Sequence, residues 1–125
     1  MSGAWLRIDA GCRSQLRAGR VRLIQLPPQP NGLPQEAIVL LDAAGMLRAY
    51  VNRCQHLPIP LDGGSGRFLT DDGNFLLCGT HGARYRLEDG LCVEGPCGGR
   101  ALEALELELQ GDAIVLLFDP SLSRS

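Results

Sequence analysis

The order of apolar and polar positions predicts a chain built mainly of short strands. Val21-Arg22-Leu23-Ile24-Gln25-Leu26 reads as one strand. It is followed by Pro27-Pro28-Gln29-Pro30-Asn31-Gly32, where prolines remove ladder donors and force a loop. Glu36 to Asp42 and Met46 to Asn52 form the two arms of an expected hairpin, turning at Ala43-Ala44-Gly45. From Arg53 to Gly99 the apolar runs shorten to Phe68-Leu69-Thr70, Phe75-Leu76-Leu77 and Ala83-Arg84-Tyr85-Arg86. Glycines accumulate there at 63, 64, 66, 79, 82, 90, 95, 98 and 99. Such density suits a backbone folded tightly around something small. Leu102 to Leu109 fits a helix or a strand, and the strict alternation from Leu105 favours the strand. Gly111-Asp112 is an expected turn, Ala113 to Phe118 a buried strand, and 119–125 a loose tail. The fold class is therefore all-β, a scaffold with an inserted Gly-rich lobe at about 53–99.

Bulk properties narrow the function without naming it. A length of 125 residues is that of one domain, 1–125, large enough for a real core. The net charge of −2 implies no polyanion partner, and one Trp, two Tyr and three Phe offer little for base stacking. Nucleic acid is accordingly not expected as a partner. No apolar run reaches the length of a membrane span, and Met1 to Asp9 lacks both the basic start and the apolar stretch of a signal peptide. The expected setting is a reducing cytoplasm with no membrane association. Five cysteines in that setting are thiols or metal ligands rather than a disulfide framework.

Both histidines fall inside one pattern. Cys54-Gln55-His56 is followed by Cys78-Gly79-Thr80-His81, giving C-x-H-x21-C-x-x-H. Thiolates suit soft metals and iron–sulfur iron, and neutral imidazole suits iron or zinc. Two of each satisfy the terminal positions of a two-iron cluster, with the thiolates on one iron and the imidazoles on the other. Neutral imidazoles lower the negative charge around the cluster, so the reducible iron is the one held by His56 and His81. The alternative is a structural Cys2His2 zinc site, whose usual C-x2–4-C and H-x3–5-H spacing differs from this one.

On these residues the chain resembles the Rieske-type [2Fe-2S] ferredoxin family. The likeness runs through Cys54 and His56 with Pro60-Leu61-Asp62-Gly63-Gly64 behind them. It continues through Leu77-Cys78-Gly79-Thr80-His81-Gly82-Ala83-Arg84-Tyr85 and the Asp89-Gly90 turn. Gly95-Pro96 resembles the family's proline loop, which covers the cluster. The resemblance implies a Rieske-like antiparallel β-sandwich or barrel and one [2Fe-2S] cluster ligated by Cys54, His56, Cys78 and His81. It also implies a soluble one-electron carrier serving redox partner proteins, a reductase and a terminal enzyme such as an oxygenase.

Two alternatives are a Rieske small subunit of a nitrite-reductase-like complex and a redox-sensing or structural iron–sulfur module. No catalytic residues are expected, because both histidines are committed and none remains for a separate catalytic iron.

The same comparison bears on potential. Where respiratory Rieske proteins carry a disulfide, this chain has Ile59 and Thr80. Where they have a serine donating to cluster sulfur, it has Ala83. Tyr85 stands where the respiratory type has Tyr. Fewer hydrogen bonds to sulfur imply a low-potential, ferredoxin-like centre. The run Leu57 to Leu61 reads either as a water shield for the cluster or as a docking face. Arg53, Arg84 and Arg86 read either as a positive rim or, preferably, as a solvated arginine face. Cys12, Cys92 and Cys97 read as ordinary thiols, with Cys92 and Cys97 placed to bridge under oxidation.

Overall fold

Alternation along the strands dictates which side chains meet, and the computed structural model shows how the strands are arranged. It describes residues 6–17, 19–29, 32–53, 68–78, 82–95 and 100–118. Nine strands are present among them: β1 (Leu6–Cys12), β2 (Val21–Leu26), β3 (Gln35–Leu41), β4 (Leu47–Val51), β5 (Phe75–Leu77), β6 (Arg84–Arg86), β7 (Cys92–Glu94), β8 (Glu106–Gln110) and β9 (Ala113–Phe118). They form three antiparallel sheets, ordered β1-β9-β8, β2-β3-β4 and β5-β6-β7. The only helical turn among the described residues is a 3-10 turn at Arg13–Gln15. The all-β expectation is met, and Leu102 to Leu109 resolves as a strand from Glu106 onward. The tail at 119–125 lies outside the described residues.

The β3–β4 hairpin closes where expected. Asp42 is buried and accepts the backbone N–H groups of Ala44 and Met46 and the Arg48 guanidinium at 2.9 Å. Burial works against its charge. The hydrogen bonds from Arg48, Met46 and Ala44 outweigh that and hold its carboxyl below the usual value. Gly45 takes a φ of +78°, where a Cβ would be strained.

Two hydrophobic clusters result, and β3 is the wall between them. Ala37 and Val39 face one, with Ala10, Leu26, Ala49, Ile114, Leu116 and Phe118. Ile38 and Leu40 face the other, with Tyr50, Leu76, Tyr85 and Leu102. This follows from the two-residue period of a strand. β9 was expected to be buried throughout. Instead only Ile114, Leu116 and Phe118 are buried, because β9 sits between β1 and β8 and turns one face to a core. β1 and β7 are additions to the expected elements.

The second sheet joins the first through the β4 edge. Val51 N–H donates to Glu103 O, and Leu105 N–H donates to Ala49 O, each at 2.9 Å. Tyr50 buries its ring and donates its hydroxyl to Leu87 O at 2.7 Å. Burial pushes its pKa up to about 12. Gly90 lies against that ring, where a Cβ would come within 2.8 Å of Tyr50.

Candidate metal centre

Cys78, the first residue of the second ligand box, lies at the end of the β5–β6 hairpin. Leu76 pairs with Tyr85 and Leu77 with Arg84. The next pair in that register is Cys78 with Ala83, and Cys78 N–H donates to Ala83 O at 2.8 Å. Gly82 N–H donates back to Cys78 O at 2.8 Å, with Gly82 at a φ of +72°. The hairpin is therefore pinned on both sides of residues 79–81. Leu76, Cys78, Ala83 and Tyr85 share one face by strand alternation, and each is fully buried in the same cluster. The Cys78 sulfur is thus set in an apolar wall, beside Tyr85.

The end of the neighbouring strand β7 presses on this tip. Gly95 ends β7 at a φ of +103°, and a Cβ there would lie 2.7 Å from Ala83 Cα and 3.1 Å from Ala83 Cβ. Only glycine permits this approach. The Gly95-Pro96 segment singled out in the sequence therefore begins against the hairpin that carries Cys78.

The first box leaves β4 from a fixed point. Asn52 N–H donates to Glu36 O at 2.8 Å. The Arg53 guanidinium donates to Gln35 Oε1 at 3.1 Å, and Gln35 Nε2 donates to Pro27 O at 2.9 Å. Gln35 is a buried polar residue that sequence reasoning passed over. It ties the base of the first box to the loop after β2, and nothing in its local pattern marked it.

Cys54, His56 and His81, with Ile59, Thr80, the run Leu57 to Leu61, Pro96 and Cys97, lie outside the described residues. Of the four expected ligands the described residues thus hold Cys78. No group of three or more His, Cys, Asp or Glu residues among those described could hold a metal. Cys92 is buried, with its thiol 3.3 Å from Glu94 O, and Cys12 is half-buried.

The arginines read from sequence are engaged. Arg84 pairs with Glu94 at 3.3 Å, Arg86 with Asp89, and Arg53 with Gln35. Arg84 and Arg86 remain partly exposed, as in the solvated reading.

A buried cysteine at a pinned hairpin tip, a glycine loop against it and a second Cys-x-His box define a β-scaffold iron–sulfur domain. Its residues 11–117 match the Rieske [2Fe-2S] domain family, and the chain belongs to that family. The cofactor of that family is one Rieske-type [2Fe-2S] cluster, and a domain carrying it is an electron carrier. The donor set fits: two thiols and two imidazoles in paired boxes, with the described thiol in an apolar wall.

Solved structures share the fold. One is the reduced complex between oxygenase and ferredoxin in carbazole 1,9a-dioxygenase, with a TM-score of 0.67 and 18% identity over 90% of this chain and 27% of that chain. The terminal oxygenase of carbazole 1,9a-dioxygenase from Novosphingobium sp. KA1 gives 0.67 and 18% over 90% of this chain and 29% of the other. Its counterpart from Nocardioides aromaticivorans IC177 gives 0.65 and 15% over 88% and 29%. This chain thus spans little more than a quarter of the chains it resembles, and at these identities the likeness is one of fold. No curated protein matches. No helix among the described residues is long and apolar enough to cross a membrane.

Proposed function

We propose that the chain is a Rieske ferredoxin, passing single electrons from a reductase to a terminal oxidoreductase such as an oxygenase. Cys54 and Cys78 would hold one iron, and His56 and His81 the other. The bound cluster supplies one reversible electron at its histidine-held iron. The observation that carries the ligand assignment is the placement of Cys78: fully buried, at the tip of a hairpin pinned through its own N–H and C=O. A thiolate there is shielded from water and fixed in direction. A chain of the solved oxygenase–ferredoxin complex carries this fold over 27% of its length, which supports an oxygenase-type redox system.

We read residues 1–125 as one Rieske domain with its cluster-binding lobe at 53–99, working in the cytoplasm. Ala83 carries no hydroxyl and its side chain is walled in by Gly95, which supports a centre toward the low end of the Rieske range of about −150 to +300 mV. Tyr85, on the same face as Cys78, would offset this in part.

The test is spectroscopic. Protein purified without oxygen should be brown-red and take up one electron per chain. Cys78→Ser and His81→Ala should each lose the normal spectrum and destabilise the lobe, because ligand binding is also folding free energy. A colourless chain with stoichiometric zinc, or a normal cluster in either variant, would overturn the assignment.

A further inference from the structure

The chain is acidic overall, yet its arginines are unevenly placed. Between Asp9 and Glu36 there is no acidic residue, and this stretch holds Arg13, Arg17, Arg20 and Arg22. Elsewhere arginines meet carboxylates: Arg7 with Glu108, Arg48 with Asp42, Arg84 with Glu94 and Arg86 with Asp89. Arg13 lies close enough to Asp112 to act on its charge, but Arg17, Arg20 and Arg22 form no ion pair among the described residues. Arg13 donates to Gly45 O at 2.9 Å. Arg22 donates to Ala10 O at 2.9 Å and lies 3.4 Å from Gln15 Oε1. Both acceptors on Arg22 are neutral, so its guanidinium is fixed in place without an ion pair among the described residues.

The backbone makes room for it. Gly11 has a φ of +86°, and a Cβ there would lie 2.1 Å from Arg22 Nη1. The β1 register shifts at this point, between Asp9 and Cys12. Arg17 and Arg20 are exposed and complete the rim of an open cleft of about 430 Å3, with Gln15 beside them and Leu16 and Val21 as apolar lining.

The cleft and Cys78 lie toward opposite ends of β5. Gly19, between Arg17 and Arg20, lies next to Gly73 in the turn that precedes β5, where a Cβ on Gly73 would be 3.9 Å from Gly19 Cα. Cys78 lies past the other end of β5.

We propose that this cleft is a docking site for an acidic segment of a protein partner, away from the cluster-bearing hairpin. Guanidiniums pair with carboxylates through paired N–H donors. Leu16 and Val21 between the charges suit the methylene and apolar parts of a peptide rather than a bare inorganic anion. Docking there would hold a partner while leaving the hairpin tip uncovered. The proposal stands independently of the ligand assignment.

The test uses the cluster-loaded full chain and a fluorescein-labelled deca-glutamate peptide, read by anisotropy at low ionic strength. The peptide should bind, a deca-glutamine peptide should not, and salt should weaken the complex. R17Q/R20Q should weaken it about tenfold or more. R7Q/R86Q removes the same charge from ion-paired sites and should stay within about twofold. Equal weakening by both double variants would show a net-charge effect and overturn the site. So would no peptide binding, or binding only to tripolyphosphate or to phosphatidylserine vesicles. Circular dichroism and the visible spectrum of each variant confirm that fold and cluster are intact in the comparison.

Discussion

Gly95→Ala isolates the contact that seats one loop on the cysteine hairpin. The new Cβ would lie 2.7 Å from Ala83 Cα, 3.1 Å from its Cβ and 3.2 Å from its N. Ordinary carbon contacts are about 3.5–4.0 Å, so loop and hairpin must part by about 0.8 Å or more. The obstacle is backbone, which cannot swing aside. Overpacking of this kind costs about 1–3 kcal/mol. The φ of +103° adds about 1–2 kcal/mol for a residue with a Cβ. The sum, about 2–5 kcal/mol, is a large part of a typical total stability of about 5–15 kcal/mol.

Gly45→Ala is the matched control. Its φ is +78°, but nothing lies within 4 Å of the added carbon, so only the backbone cost of about 1 kcal/mol applies. At about 3–6 °C per kcal/mol for a chain of this size, Gly45→Ala should lower Tm by about 3–6 °C and Gly95→Ala by about 6–30 °C. Melts should be followed without oxygen, by circular dichroism and by visible absorbance of the cluster. Removing the Ala83 methyl in A83G/G95A should restore little, since the closest clash is with Cα. Equal Tm losses in the two single variants, or full rescue by the double variant, would refute the reasoning.

Other outcomes follow from the buried polar groups. Tyr50→Phe leaves Leu87 O without its 2.7 Å donor and should cost about 1–3 kcal/mol in urea melts. With the folded pKa at about 12 against 10.0 unfolded, Tyr50 favours the fold fully below pH 10. That contribution falls as pH rises toward 12, a slope that Tyr50→Phe should remove. Asp42→Asn puts a donor NH2 where one acceptor oxygen stood, facing either the Arg48 guanidinium or the Ala44 and Met46 N–H groups, and should cost about 1–3 kcal/mol at neutral pH by chemical denaturation. Because the folded Asp42 pKa is lowered, its contribution is present above the unfolded value near 3.8 and is lost as pH falls through the folded one. The variant should therefore lose less stability on acidification, and an unchanged acid slope would contradict this.

The fold was most legible where alternation and turn chemistry agree. β2, the β3–β4 hairpin with Gly45 at its turn, and β8 from Glu106 are examples. β1 carried a readable signal, since Leu6, Ile8, Ala10 and Cys12 alternate with Arg7, Asp9 and Gly11, yet it was not among the expected strands. β7 is three residues long and has too little pattern to read. Of the site, the strands on either side of the second box were legible as the short apolar pieces Phe75-Leu76-Leu77 and Ala83-Arg84-Tyr85-Arg86. The closeness of Gly95 to Ala83 was not, because it continues the β6–β7 register past Arg84 and Glu94, and β7 has too little pattern to read. The cleft at Arg17 and Arg20 was hidden by the net charge of −2, which averages a basic segment with acidic ones.

The two-sided burial of β3 has a consequence for how the chain opens. Ile38 and Leu40 belong to the cluster that holds Cys78, whereas Ala37 and Val39 belong to the cluster built on β9. Amide exchange should then divide the molecule into two cooperative units that meet at one strand. The iron-binding unit can loosen for cofactor insertion while β1, β8 and β9 keep their protection. The amides of β3 should be the last to exchange, since they are released only when both units have opened.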